Sequence, residues 1–313
     1  MEVSSSDSGQ KSEENPGKTK FQLLLISGLK KEIEAARRLD PEKLAVEIEK
    51  TGFSCQQCGK CCRRAFGDNR VLVIPREIEK IREYTGLSKL EIAGPLIPDL
   101  FESGSETDEP GSVADVCVHE SDRAEKSVEP ESAERDSSEH ESAEHESVEI
   151  EQCRGISGDT GGSSLKLLEL LKEDIDSEGN IHAFGWMLRR KRNGDCVFLE
   201  QGTNRCRIYP VRPMLCRTYP FYMEELKLHT CECEGLGYPI SREESLKMAE
   251  DLLFRYITEL EDMLATYERF ENFDKGDKGP ELARKSAEKG AFAFIVHDSS
   301  GVSKISVKVQ ERG

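Results

Sequence analysis

The feature that most limits this chain is a run of four cysteines within eight residues, FSCQQCGKCCRR, which places Cys55, Cys58, Cys61 and Cys62 at C-x2-C-x2-C-C spacing. In a reducing compartment, spacing this close serves metal or redox chemistry rather than structural disulfides. Each C-x2-C turn lets two thiolates converge on one ion, and Gly59 gives the backbone freedom to curl around it. The vicinal Cys61 and Cys62 are expected to point apart. They would serve different ions, bridge two, or leave one thiol for redox work. Five more cysteines follow at Cys196, Cys206, Cys216, Cys231 and Cys233. Four proximal and five distal thiols could fill two tetrahedral four-sulfur sites, or one cluster and a smaller site. Zinc and an iron–sulfur cluster both suit such ligands.

The other two of the 11 cysteines, Cys117 and Cys153, sit in a stretch of different character. Residues 102–151 hold 18 acidic and 3 basic side chains, a charge of −15 out of the chain's −17. From Glu131 the sequence reads ESAERDSSEHESAEHESVEI, a five-residue repeat that fits neither the helical nor the strand period. With little to bury, such a segment does not recover the entropy of ordering. A disordered insertion is therefore expected over 102–163, closing on SGDTGGSS, with Cys117 and Cys153 as ordinary thiols. Its His119, His140 and His145 read as members of a solvated acidic loop rather than as ion ligands. Outside 102–151 the charge is −2, with no broad basic face for nucleic acid or an anionic membrane. No run nears the roughly 18 apolar residues of a membrane span, and the N-terminus lacks signal-peptide character. A cytoplasmic protein is expected.

The remaining sequence carries helix and strand signals. Apolar spacing predicts a helix over 21–39. Asp40-Pro41 is an N-cap and first-turn proline for a second helix that stops at Gly52. Val71–Ile74 is a strand candidate, and Pro75 opens a helix ended by Gly86. Further helices are expected at 165–174 and 242–271, the latter with a stripe of Leu246, Leu252, Leu253, Ile257, Leu260 and Leu264. AFAFIVHD and VSKISVKV flank Ser-Ser-Gly, a hairpin signal. The expected fold is α+β, mostly helical: a small, irregular cysteine-rich metal-binding domain with a disordered acidic insertion and a C-terminal β-hairpin. Its parts are a disordered N-terminus (1–20), a discontinuous metal-binding domain (21–101 and 164–271), the insertion, and a C-terminal linker and hairpin (272–313).

Near the distal cysteines, Arg207, Arg212 and Arg217 could offset the negative charge of a thiolate site. Tyr209, Tyr219, Phe221 and Tyr222 could exclude water from it. The basic run LRRKRNG (188–194) reads as a solvated loop. His182 and His229 look isolated, with no cysteine–histidine catalytic pair evident.

FSCQQCGKCCRR, then DCVFLEQGTNRCRIYPVRPMLCRTYPF and CEGLG, resemble the YkgJ-type CxxCxxCC cysteine-cluster family, over roughly 48–101 and 180–240. The resemblance implies zinc or iron chelation, and the family includes a flagellin lysine N-methylase. Carried over, its pattern falls on Cys55, Cys58, Cys61, Cys62, Cys196, Cys206 and Cys216. Its last cysteine falls on Cys233, with Cys231 an extra thiol that leaves the final ligand open. Three functions follow in order. The first is a metal-binding protein holding zinc or iron, with a cluster as an option. The second is an iron–sulfur oxidoreductase or protein-modifying enzyme, although no Gly-rich loop follows a strand to cradle S-adenosylmethionine. The third is an interaction protein whose insert meets a basic protein partner.

Overall fold

The computed structural model describes residues 18–63, 65–66, 70–98, 166–191 and 193–308. The expected insertion, Cys117, Cys153, the three insert histidines and all but the last residues of the expected N-terminal tail lie outside the described residues.

Helix ends follow their capping residues. Helix α1 (Lys20–Ala36) opens with a Thr19–Gln22 capping box and buries Ile26, Leu29, Ile33 and Ala36 at helical spacing. Helix α2 (Pro41–Thr51) starts where the Asp40 side chain accepts from Glu42 N, and it ends at Gly52. Both pack on the long helix α6 (Arg242–Arg269), which a Ser241–Glu244 capping box starts. Leu29, Ile33, Leu44, Ile48, Leu252, Tyr256 and Leu260 fill this first core, joined by Phe221 and Met223.

A second core lies under two small sheets. Strands β1 (Leu72–Val73) and β2 (Ala93–Pro95) flank β4 (Trp186–Leu188), both antiparallel to it. Helices α3 (Pro75–Thr85) and α4 (Lys89–Ile92) lie between β1 and β2 in the chain. In the other sheet β3 (Ile181–Phe184) runs parallel to β7 (Ala291–Asp298), which pairs antiparallel with β8 (Gly301–Lys308). The expected C-terminal hairpin thus forms and is also joined to a strand more than 100 residues earlier. Helix α7 (Gly279–Glu288) packs on β7. Trp186, wholly buried, links the sheets: its Nε1 donates to Asp298 Oδ2 at 2.6 Å, while Lys89 Nζ stands 3.9 Å above its ring. The architecture is mixed α+β. Among the described residues, no helix is long and apolar enough to cross a membrane.

His182 is not isolated. Its Nδ1 lies 2.8 Å from His297 Nε2 across β3 and β7, its Nε2 lies 3.4 Å from Asp176 Oδ2, and Phe273 stacks on it. His229 stacks on Tyr222. In a direct imidazole pair one ring nitrogen must accept, so the two rings cannot both be fully protonated without breaking it. Burial lowers the pKa of both, that of His297 to about 4. Burial would raise Asp176, but hydrogen bonds from Asn180, His182 and backbone N–H groups outweigh it and hold that carboxyl below its usual value. The unfolded chain therefore takes up protons before the folded one does. Stability from His297 is complete above about pH 6.5 and is lost as the pH falls toward 4, on the order of 2–3 kcal/mol. Urea unfolding at pH 7 and 4.5 should show this loss, and His297→Gln should flatten it. An equal loss in the variant would dismiss the pair as its source.

Candidate metal centre

Past Gly52 the chain leaves α2 as an extended strap. Phe53 bridges Leu236 antiparallel, Ser54 N donates to Gly235 O at 2.9 Å, and Gly237 N donates to Gly52 O at 3.1 Å. A Cβ on Gly235 would stand 2.3 Å from Ser54 O, so only glycine permits this approach. Gly59, at φ 70°, then opens a 3-10 turn over Lys60–Cys62 and rests against Asn204 and Leu199.

That turn corrects the expectation for the vicinal pair. The two thiols do not point apart: Cys61 Sγ and Cys62 Sγ are 3.9 Å from each other. Neighbours in a strand project to opposite sides, but three residues per turn sets them only about 120° apart.

The distal cysteines arrive on loops and short elements. Cys196 N donates to Cys62 O at 2.9 Å, a direct tie between the two cysteine blocks. Lys191 N to Asp195 O (2.7 Å) and Gly194 N to Lys191 O (3.0 Å) close the turn before Cys196. The basic run 188–194 is therefore no simple solvated loop. Arg189 Nη1 donates to Leu90 O at 2.9 Å and Lys191 Nζ to Leu199 O, anchoring the turn to the protein. Cys206 bridges Leu199. Cys216 rides on helix α5 (Met214–Thr218), whose Met214 N–H donates to Glu77 Oε1 at 2.7 Å. Strands β5 (Phe221–Glu224) and β6 (Lys227–Thr230) form a hairpin between Cys216 and Cys231. Cys231 N donates to Pro220 O at 2.8 Å, and Gly235 N to Cys233 Sγ at 3.4 Å. Lys60 pairs with Glu234 next to Cys233.

All nine sequence-predicted cysteines line one cavity of roughly 840 Å³. Five arginines, Arg70, Arg205, Arg212, Arg217 and Arg255, line it too, while its described lining residues include no carboxylate and no imidazole. Its strong metal donors are thus thiols, beside the amide oxygens of Gln56, Gln57 and Asn204, with guanidinium to balance them. The thiols do not form a ready chelate: among the described residues, no three His, Cys, Asp or Glu side chains are grouped to hold one ion. No disulfide joins the described cysteines.

The aromatics Tyr209, Tyr219, Phe221 and Tyr222 line the cavity as expected, and so do Arg212 and Arg217. Arg207 does not. It donates to Val197 O at 3.0 Å and lies over the Phe198 ring. Sequence reasoning missed Arg255, on α6 and 22 residues past Cys233. Its Nε donates to Glu259 Oε1 at 2.8 Å and its Nη1 to Thr218 Oγ1 at 2.9 Å, which aims it at the cavity. The available signal was an Arg–Glu pair at i,i+4 beside the apolar stripe.

Crowding shapes the thiols' acidity. A hydrogen bond from Cys62 brings Cys61 down to about 7, and the same contact pushes Cys62 up. Burial raises Cys206, Cys231 and Cys233, takes Cys196 to about 11 and holds Cys216 well above its usual value. Half-buried thiols packed together resist ionisation; a cation among them reverses the balance.

Residues 117–234 match the family model CxxCxxCC, described as "Putative zinc- or iron-chelating domain". This segment is similar to a CxxCxxCC domain. The match takes in all five distal cysteines and stops one residue past Cys233. It differs in extent from the two blocks expected above, since Cys55 to Cys62 precede it. Those four reach the matched segment and its C-terminal edge through space, by the Cys62–Cys196 bond and the Ser54–Gly235 strap. No curated protein and no solved structure matches the chain.

Proposed function

We propose that the protein chelates zinc or iron through thiolates, and that its metal centre ties the two cores together. The observation that carries this reading is the cavity's composition: nine thiols, five guanidiniums, and no carboxylate or imidazole among its described lining residues. Four thiolates around a divalent ion carry a net charge of −2, so two such sites carry −4. Five arginines are close to the countercharge that this requires. Hydrogen-bond donors of this kind also tune a thiolate site and slow metal loss. The ligands in this reading are Cys55, Cys58, Cys61, Cys62, Cys196, Cys206, Cys216 and Cys233, with Cys231 the ninth thiol. When bound, zinc would supply a structural cross-link between these loops, and iron would add one-electron chemistry. The residues of this chain hold the ligands at loop ends, exclude water with Tyr209, Tyr219 and Phe221, and neutralise the sulfurs. A cytoplasmic setting, which keeps thiols reduced, fits this role.

The test is elemental and acid-labile sulfide analysis of protein purified both aerobically and anaerobically. At least one zinc or iron per chain is expected, with sulfide only if the centre is a cluster. Protein that carries neither metal after both preparations contradicts the reading.

A further inference from the structure

Resting on that chelation reading, we infer that the eight ligands divide into two four-thiol centres, with the boundary falling between the vicinal residues. Cys62, Cys196, Cys206 and Cys216 form one; Cys55, Cys58, Cys61 and Cys233 form the other; Cys231 belongs to neither.

Two features support this boundary. The first is the backbone. Cys62 is bonded to Cys196 through N–H and C=O at 2.9 Å, and Cys196 connects to Cys206 through Leu199, which donates to Cys196 O at 3.0 Å and bridges Cys206. From Cys206 a single 3-10 turn, Tyr209–Val211, leads to the helix of Cys216. On the other side, the strap of Phe53 and Ser54 against Gly235 and Leu236 runs the chain at Cys55 alongside Glu234, next to Cys233. The Lys60–Glu234 pair clamps the residue before Cys61 to the residue after Cys233.

The second feature is the core on which each set rests. Cys196 and Cys206 pack against the sheet core of Trp186 and Phe198, whereas Phe53 and Leu236, which flank the second set, pack against the helical core of α1, α2 and α6. Each centre would then seal the edge of one core, and the Cys61–Cys62 peptide would join them. At the seam, Cys61 Sγ stands 3.9 Å from Cys62 Sγ. Gly235 N–H donates to Cys233 Sγ, the kind of support a ligating sulfur receives, and Cys231 has Arg255 as its charged neighbour.

The full-length chain, reduced, stripped and reloaded with cadmium-113, tests this. Two equivalents per chain are expected, giving two cadmium resonances. Cadmium–proton correlation should connect one to the Cβ protons of Cys62, Cys196, Cys206 and Cys216, and the other to those of Cys55, Cys58, Cys61 and Cys233. Cys206→Ser should lower binding from two equivalents to one and keep the second resonance. Cys55→Ser should do the reverse, and Cys231→Ala should keep both. The surviving resonance reports that each variant is folded, and the wild-type correlation stands even if a variant is not. One resonance, cadmium–cadmium coupling through a shared sulfur, or correlation to Cys231 would overturn the division while leaving chelation intact. Failure to bind any cadmium would overturn chelation itself.

Discussion

Stripping the protein with a strong chelator under reducing conditions should lower its melting temperature by roughly 8–16 °C. A ligand present at about 1,000 times its dissociation constant stabilises the folded state by about 4 kcal/mol, and each kcal/mol moves the midpoint of a chain of this size by about 2–4 °C. The loss should be uneven. Among the described residues from Ser54 to Arg63, Gly59 alone is buried, so past Phe53, which packs on the helical core, no buried apolar side chain holds this segment once its thiols are released. Helix α6, by contrast, buries Ala249, Leu252, Leu253, Tyr256 and Leu260 in a core that needs no metal. Amide exchange should accordingly lose protection over 53–63 and around 231–237, and keep it over 249–260. An unchanged melting temperature and exchange pattern after chelation would mean that the thiols do no structural work.

The second large effect is predicted for Gly235→Ala. The new methyl would stand 2.3 Å from Ser54 O and 3.0 Å from Phe53 Cε2, and the first of these is backbone that cannot rotate away. Strand and strap must separate, at a cost of about 3 kcal/mol for forced overpacking, or roughly 6–12 °C at the midpoint. Because the strap brings the chain at Cys55 beside Glu234, next to Cys233, metal content should fall as well. Gly28→Ala is the matched control. It lies exposed within α1 with open space around its Cβ, and should stabilise by about 0.5–1 kcal/mol. If Gly235→Ala retains full metal and stability, the strap does not position the ligands.

Local signals in the sequence were read accurately wherever they were self-contained. Asp40-Pro41 and Gly52 bound α2, Pro75 and Gly86 bound α3, and the alternation around Ser299-Ser300 became β7 and β8. The cysteines were legible as a group for the same reason, since spacing alone marks them. What stayed hidden depends on partners far along the chain. The β3–β7 pairing joins residues 181–184 to 294–297, and the His182–His297 contact comes with it. The β5–β6 hairpin turns on Glu225 (φ 48°) and Leu226 (φ 63°), where left-handed turns ordinarily advertise themselves with Asn-Gly. Tertiary contact supports this turn instead: Leu226 packs on the helical core and its N–H donates to Tyr256 Oη at 3.2 Å. The vicinal geometry was misjudged because it follows from a 3-10 turn that a C-C dipeptide does not announce. Arg255 was missed because its role comes from α6 lying beside the cavity.

X-ray absorption at the metal edge of anaerobically purified full-length protein tests the central claim most directly. An all-thiolate centre predicts a first shell of sulfur alone, at about 2.3 Å. Nitrogen or oxygen scatterers at about 2.0–2.2 Å in place of sulfur would contradict it, because the described cavity lining offers the metal neither imidazole nor carboxylate.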